Sequence, residues 1–209
     1  MAVSFAKENY SKVFDFSDAA AEAVAGLDEI NDGMQSTQEL RDQIYASAQR
    51  SGSPYLGTME SVARFGSEGG SAFTDNGETI AFAENLNKAF QIAGMSQDQI
   101  TASSQALAKA LGDGTLSGEE LQGIFGETPG LLQMMADSLG ISTEQLSQMA
   151  AAGALTSEMV KNAMLGATSE IDTQFAAMPV TWTDAFTRLK NGALQAFLPL
   201  LTSIGNILS

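Results

Sequence analysis

Four stretches of the sequence carry the same signal for ending one helix and beginning the next. Each has a glycine, then an apolar residue directly before Ser or Thr, and then a polar first turn. Glycine suits the left-handed conformation that ends a helix, and a hydroxyl residue suits the N-cap of the helix that follows. A chain that repeats this signal so closely must fold as short helices joined by tight turns. The stretches are GMSQDQI from Gly94, GTLSGEEL from Gly114, GISTEQL from Gly140 and GALTSEMV from Gly153.

The hydroxyl residues of these stretches are the predicted N-caps Ser96, Ser117, Ser142 and Thr156. After each of the three serines, Gln or Glu stands at the third helical position, which predicts a capping box. The apolar residue before each cap predicts a hydrophobic staple with the residue at the fourth helical position. Met159 replaces the Gln or Glu after Thr156, so only the staple is predicted there.

The four stretches also form two similar pairs. GMSQDQI is echoed by GISTEQL, and GTLSGEEL is echoed by GALTSEMV. This order indicates an internal duplication, and the alternative is that local capping rules alone produce the similarity.

Apolar residues recur at helical spacing along the chain, and no alternating run flanked by hairpin turns occurs. The predicted fold is all-α, a compact array of about eight to ten short helices with a longer C-terminal helix. Pro54 and Pro129 each follow a hydroxyl residue, which predicts Ser53 and Thr128 as N-caps and the prolines as first helical residues. The predicted helices span about 17–32, 36–50, 54–65, 77–92, 97–111, 118–125, 129–139, 143–151, 157–176 and 182–208.

The sequence divides into an N-terminal helical segment (1–34), a helical domain (35–180) and a long apolar helix (181–209). The last segment carries no charge from Asn191 onward. Its apolar part is shorter than the ~20 residues that a membrane span needs, so a buried or self-associating helix is predicted, with membrane contact as the alternative. Because the apolar pattern still runs at Ser209 without a capping residue, we expect the chain to be the front part of a longer polypeptide.

Composition narrows the possible chemistry. The chain has no cysteine and no histidine, which excludes disulfides, thiolate metal sites, cysteine nucleophiles and histidine-based triads. Its 25 acidic and 10 basic residues give a net charge of −15, and no Lys or Arg lies between Lys109 and Lys161. Such a charge repels phosphate backbones, so direct nucleic-acid binding is not expected. We predict no enzyme activity, no metal and no cofactor.

Residues 109–120 can be aligned with a whole EF-hand calcium loop, but only the second half of the loop matches, with Gly114 at position 6 and Glu120 at position 12. Positions 1 and 3, which need oxygen ligands, are Lys109 and Leu111. An ammonium and an isobutyl group cannot hold a cation. The same residues are better explained by the predicted helix start.

Two long stretches of the sequence carry a resemblance to a known family. They are QALAKALGDGTLSGEELQGIFGETPGLLQMMADSLGISTEQLSQMAAAGALTSEMVKNAM and FAAMPVTWTDAFTRLKNGALQAFLPLL. Both resemble the N-terminal conserved region of phage tail tape measure proteins. Upstream pieces such as ETIAFAENLNKAFQIAG are similar to the version of this family in siphophages and prophages of Gram-positive hosts. The residues that match the family pattern are Gln105, Gly114, Leu116, Gly118, Glu119, Glu120, Leu121, Pro129, Gly140, Ser142, Gly153, Thr156, Met178, Pro179 and Thr181.

The resemblance implies a structural virion protein without catalytic activity. Such a protein extends through the lumen of the growing tail tube, sets the tail length and takes part in genome ejection. The implied partners are the tail tube protein, tail assembly chaperones and baseplate or tip initiator proteins, and homo-oligomers are also expected. The implied locations are the tail lumen of the virion and the host cytoplasm during assembly.

Two other functions compete with this interpretation. The first is a free-standing acidic helical module that binds other proteins, as an adaptor or a chaperone does. The second is a calcium-dependent or hydrolytic protein that uses Asp113, Glu119 and Glu120. Neighbouring residues on a helix point in different directions, which counts against a shared substrate for the two glutamates.

Overall fold

A computed structural model describes residues 18–179 and 182–208, with side chains in these ranges for all but 182–184 and 200–208. Its secondary structure in these ranges consists of eleven α-helices, one short 3-10 helix and one isolated bridge, without a strand. The all-α prediction is confirmed. The helices are α1 (18–30), α2 (Thr37–Ser51), α3 (Tyr55–Glu68), α4 (Asn76–Ile92), α5 (Gln97–Gly112), α6 (Gly118–Phe125), α7 (Pro129–Leu139), α8 (Thr143–Ala151), α9 (Ser157–Gly166), α10 (Thr168–Ala176) and α11 (Trp182–Leu208), and the 3-10 helix is Gly70–Ala72.

The prediction of one helix over 157–176 is wrong, because the chain divides into α9 and α10 at Ala167. The side chain of Asn85 on α4 donates to the carbonyl of Met164 at 3.0 Å and to the hydroxyl of Thr168 at 2.7 Å. The Thr168 hydroxyl in turn donates to the carbonyl of Leu165 at 2.6 Å. These bonds occupy carbonyls that a continuous helix would use for its own ladder. A distant side chain therefore breaks a segment that is helical by its local pattern.

The prediction of an N-cap followed by proline at the first helical position is wrong at Ser53 and confirmed at Thr128. Pro54 itself is the N-cap of α3, without a side-chain bond. Thr128 precedes Pro129 as predicted, but its hydroxyl donates to the carbonyl of Phe125 at 2.9 Å instead of accepting from α7. Both prolines lie at helix starts, but neither of the preceding hydroxyl groups bonds to the helix that follows.

Helix α4 forms the centre of the core. Residues 82–90 are all buried, so this helix is covered around its whole circumference. Helices α2, α3, α9 and α10 contact it. The rings of Phe65 and Phe73 meet that of Phe82 edge to face, with centroids 5.1 and 5.2 Å away, and Phe90 lies 6.2 Å from Phe125. Aromatic side chains thus fill the space around α4.

Helices α1 to α10 form what we call the body, and α11 runs along its surface against α2. Helix α11 is held by apolar contacts, through the buried Leu198 and the partly buried Leu194, and by polar bonds. The buried Asn191 amide accepts from the Tyr55 N–H at 2.9 Å and donates to the Ser53 carbonyl at 2.7 Å. Gln49 donates to the Arg188 carbonyl at 3.2 Å. None of the helices in the described ranges is long and apolar enough to cross a membrane.

Candidate functional site

The helix starts singled out by the sequence are capped turns. Ser96, Ser117, Ser142 and Thr156 are N-caps, and each hydroxyl accepts the N–H of the third helical residue at 3.2–3.4 Å. The capping box is complete at the three serines and absent at Thr156. The preceding glycines have left-handed φ angles, which are 76° at Gly94, 88° at Gly114, 69° at Gly140 and 65° at Gly153.

Two of these turns are joined to each other. The N–H of Leu116 donates to the carbonyl of Leu155 at 2.8 Å, and the N–H of Ser157 donates to the carbonyl of Gly114 at 3.0 Å. The buried Ser157 hydroxyl adds a bond to the carbonyl of Leu111 at 2.7 Å. The sequence similarity between GTLSGEEL and GALTSEMV thus corresponds to an antiparallel bridge between them, which we call the turn bridge.

The carboxylate of Glu120, in the first turn of α6, is used in capping. Glu120 accepts from the N–H of Ser117 at 2.8 Å and from its hydroxyl at 2.7 Å, and these bonds lower the pKa of the Glu120 carboxyl. Glu119 is exposed beside it. Throughout the described residues, no group of three or more acidic side chains lies close enough together to hold a metal ion. The capping bonds account for Glu120 without a calcium-binding or hydrolytic role.

The other residues of the family pattern have different environments. Leu116 and Leu121 are buried in the core, whereas Gln105 and Pro129 are exposed on α5 and α7. Gly118 lies at the start of α6, next to the backbone of Ala151. Thr181 lies outside the described residues. Most of the pattern therefore specifies turns and core packing.

Buried charges tie three helices together near the C-terminal end of α2. The Glu84 carboxylate accepts from the Arg50 guanidinium at 2.6–3.1 Å and forms an ion pair with Lys88 at 2.8 Å. Lys88 also pairs with Asp172 on α10 at 2.6 Å. Burial raises the pKa of the Glu84 carboxyl, but the bonds from Arg50 and Lys88 outweigh it, so the net shift is downward. These ion pairs connect α2, α4 and α10 to one another, and each of the four charged groups has a partner of opposite charge.

A pocket of about 400 Å³ lies where α11 meets the ends of α2, α4 and α10. We call it the basal pocket. It contains the Met178 and Pro179 of the family pattern, which follow α10. Its lining combines apolar side chains with two guanidinium groups. The residues that define its chemistry are Met95, Phe175, Met178, Pro179, Arg50 and Arg188.

Helix α11 exposes an apolar stripe on the face opposite the body. Phe186, Leu189 and Phe197 are 68%, 72% and 58% exposed, whereas Asn191 and Leu198 on the other face are buried. The spacing of three and eight residues places the three exposed side chains on one side of the helix. Large apolar side chains grouped in this way mark an interaction surface.

Comparison with known proteins gives one result that covers most of the chain. The family model for tape measure proteins matches residues 11–199, which include the body and the part of α11 that carries the apolar stripe. No curated protein and no solved structure matches the chain. The match includes the capped turns, the turn bridge and the basal pocket. The chain therefore belongs to the tape measure protein family, a family of structural components of the phage tail.

Proposed function

We propose that this chain is the N-terminal domain of a tail tape measure protein that sets tail length and takes part in tail assembly and genome ejection. The observation that carries the proposal is the family match over residues 11–199. A ruler made of helix has a length proportional to its residue count, at about 1.5 Å per residue. In this proposal the body is the compact start of the protein and the ruler follows in a later part of the polypeptide.

The charge of the chain supports a position inside the tail tube. Genome ejection sends DNA through the same lumen, and a net charge of −15 disfavours binding of that DNA. We place the protein in the tail lumen of the virion and, during assembly, in the host cytoplasm. The proposed partners are the tail tube protein, tail assembly chaperones and the baseplate or tip initiator proteins.

The apolar stripe supports self-association of α11 within the tail. Phe186, Leu189 and Phe197 follow a helical spacing that suits packing against another helix, and Ala193 and Ala196 between them allow close approach. Covering these side chains with an equivalent helix would remove apolar surface from water and favour a homo-oligomer.

The size and location of the native gene product test the proposal. An antibody against residues 106–165 would be used on purified virions and on lysates of the source cells. We expect a product several times larger than 21.9 kDa in the virions. A product of about 21.9 kDa that is absent from virions would contradict the proposal and favour the free-standing interaction module.

A further inference from the structure

The basal pocket is large enough to hold a small ligand. At about 400 Å³ it falls within the range of pockets that hold ligands in proteins. Its walls come from separate elements: Met95 follows α4, Phe175 lies on α10, Met178 follows α10, and Arg188 lies on α11. A ligand bound here would contact the body and α11 at once.

The apolar part of the pocket is adaptable and accessible. Met178 is 37% exposed, although no large apolar side chain of α5 to α9 is exposed. Methionine side chains adjust to different partner shapes, and the Phe175 ring and Pro179 add rigid apolar surface. Apolar side chains of a ligand would be removed from water in this part of the pocket.

The two arginines of the pocket differ in what they already bind. Arg50 uses its Nε and one terminal nitrogen on the Glu84 carboxylate, so its charge is neutralised within the body. The guanidinium of Arg188 forms no hydrogen bond or ion pair with the described residues, although its carbonyl accepts from Gln49 and so fixes this part of α11. Of the six lysines and arginines in the helices of the body, four are paired with carboxylates, namely Arg50, Arg64, Lys88 and Lys161. Arg188 is therefore complementary to a carboxylate brought by a ligand.

The backbone around the pocket disfavours a small free anion. Gly52 and Gly94 in its wall follow the C-terminal ends of α2 and α4. Several carbonyls of these last turns are already bonded: Ser51 accepts from the Gln91 side chain, Phe90 from the Met95 N–H and Gln91 from the Gly94 N–H. The negative ends of the two helix dipoles disfavour a small free anion, so a carboxylate would bind through Arg188 only as part of a ligand that also fills the apolar part of the pocket.

We propose that the basal pocket binds an extended peptide segment of a partner protein, with apolar side chains against Met95, Phe175 and Met178 and an adjacent acidic side chain on Arg188. Binding would connect the body to α11 and so fix the direction in which α11 leaves. This site is independent of the role in tail length, because it rests only on the pocket and its charges.

The test uses the full chain with ¹³C-labelled methionine methyl groups in nuclear magnetic resonance titrations. The probes are two synthetic peptides, acetyl-Leu-Phe-Glu-Leu-amide and its uncharged match acetyl-Leu-Phe-Gln-Leu-amide. We expect saturable shifts at Met95 and Met178, none at the distant exposed Met34, and about three- to tenfold weaker binding of the Gln peptide because it lacks the carboxylate. Shifts that are absent at Met95 and Met178, or equal affinities for the two peptides, would overturn the proposal.

Two variants identify the cation responsible. Arg188→Gln removes the guanidinium of the pocket, and Lys190→Gln removes a neighbouring charge of α11 that does not line the pocket. We expect Arg188→Gln to abolish the preference for the Glu peptide and Lys190→Gln to keep it. Loss of the preference for the Glu peptide in both variants would show a general effect of helix charge and would contradict binding in the basal pocket. Unchanged methionine spectra of the free variants would establish that both are folded.

Discussion

The middle of the body buries its large apolar side chains, whereas α11 exposes three of them. From α5 to α9, no large apolar side chain is exposed, and the turn bridge places Leu116 and Leu155 at 0% exposure. In α11, Phe186, Leu189 and Phe197 are all more than half exposed, and polar bonds through Asn191 hold the helix in place. The middle therefore completes its own packing. Helix α11 is positioned by the body and leaves this apolar surface exposed, and in our proposal the surface packs against another copy of the helix.

The largest contrast is expected from removing one leucine in each region. Leu155→Ala deletes a fully buried side chain of the turn bridge and should lower the free energy of unfolding by about 3 kcal/mol, through lost burial and a cavity. Leu189→Ala, at 72% exposure, should change it by no more than about 0.5 kcal/mol. Urea unfolding followed by circular dichroism measures both. Similar effects of the two changes would mean that the stripe is part of the core.

The next largest effect is expected at the buried charges of the body. Glu84→Gln should cost about 2 kcal/mol, because it leaves the buried Lys88 with Asp172 alone, while Arg50 is partly exposed and screened. The matched control is Glu68→Gln, which removes an exposed ion pair with Arg64 and should cost about 0.5 kcal/mol or less. Equal costs in urea unfolding would show that burial of Glu84 does not matter.

The same carboxylate predicts a pH dependence confined to the body. The folded-state pKa of Glu84 lies below its ordinary value of 4.5, because of Arg50 and Lys88. The stability that it contributes is therefore present above pH 4.5 and is lost as the pH falls through the lower, folded-state pKa. In Glu84→Gln, the free energy of unfolding should therefore fall less as the pH is lowered. An unchanged loss of stability in this variant would assign the pH dependence to other carboxylates. The amide of Asn191, which holds α11, does not titrate.

A smaller effect is expected where α11 meets the body. Asn191→Ala leaves the Tyr55 N–H and the Ser53 carbonyl without their partners, which should weaken the docking of α11 by about 1.4 kcal/mol, or tenfold. Hydrogen exchange should show faster exchange in α11 and unchanged protection in α4. Gln195→Ala, which removes a partly exposed contact with Asp42, is the control and should have little effect. Loss of protection in α4 as well would mean that body and α11 unfold as one unit.

The smallest effect is expected at individual caps. Ser117→Ala removes the capping box at the start of α6 and should cost about 1 kcal/mol in urea unfolding. Thr156→Ala removes a cap without a box and should cost less. The double change Ser117→Ala with Glu120→Ala should cost little more than Ser117→Ala alone, because the two side chains act together. Additive costs would contradict the reciprocal bonds of the box.

The features that the sequence could predict are those set by neighbouring residues. The caps at Ser96, Ser117 and Ser142 depend on residues within one turn, and so the helices that follow them begin where expected. The break at Ala167 depends on Asn85 of α4, which local spacing does not include. The role of Ser157 in the turn bridge likewise requires two turns that are distant in the chain.

Only part of the candidate binding site could be predicted from the sequence. The family resemblance singled out Met178 and Pro179, which lie in the basal pocket. Nothing in their neighbourhood in the sequence indicates Arg50, which the fold of α2 brings to the same place. The distinction between the two arginines depends on Glu84, because ion pairing removes Arg50 from the groups available to a ligand. Pairing of this kind is a property of the folded chain.

Tail length tests the central claim most directly. In a phage that carries this domain, insertion of 42 residues in helical register into the following ruler segment should lengthen the tail by about 63 Å, at about 1.5 Å per residue. Electron microscopy of negatively stained virions measures this change, and an equally long insertion in an unrelated tail gene is the control. Tails longer by about 63 Å would support the tape measure function. Tails of unchanged length, with the lengthened protein present in the virions, would contradict it.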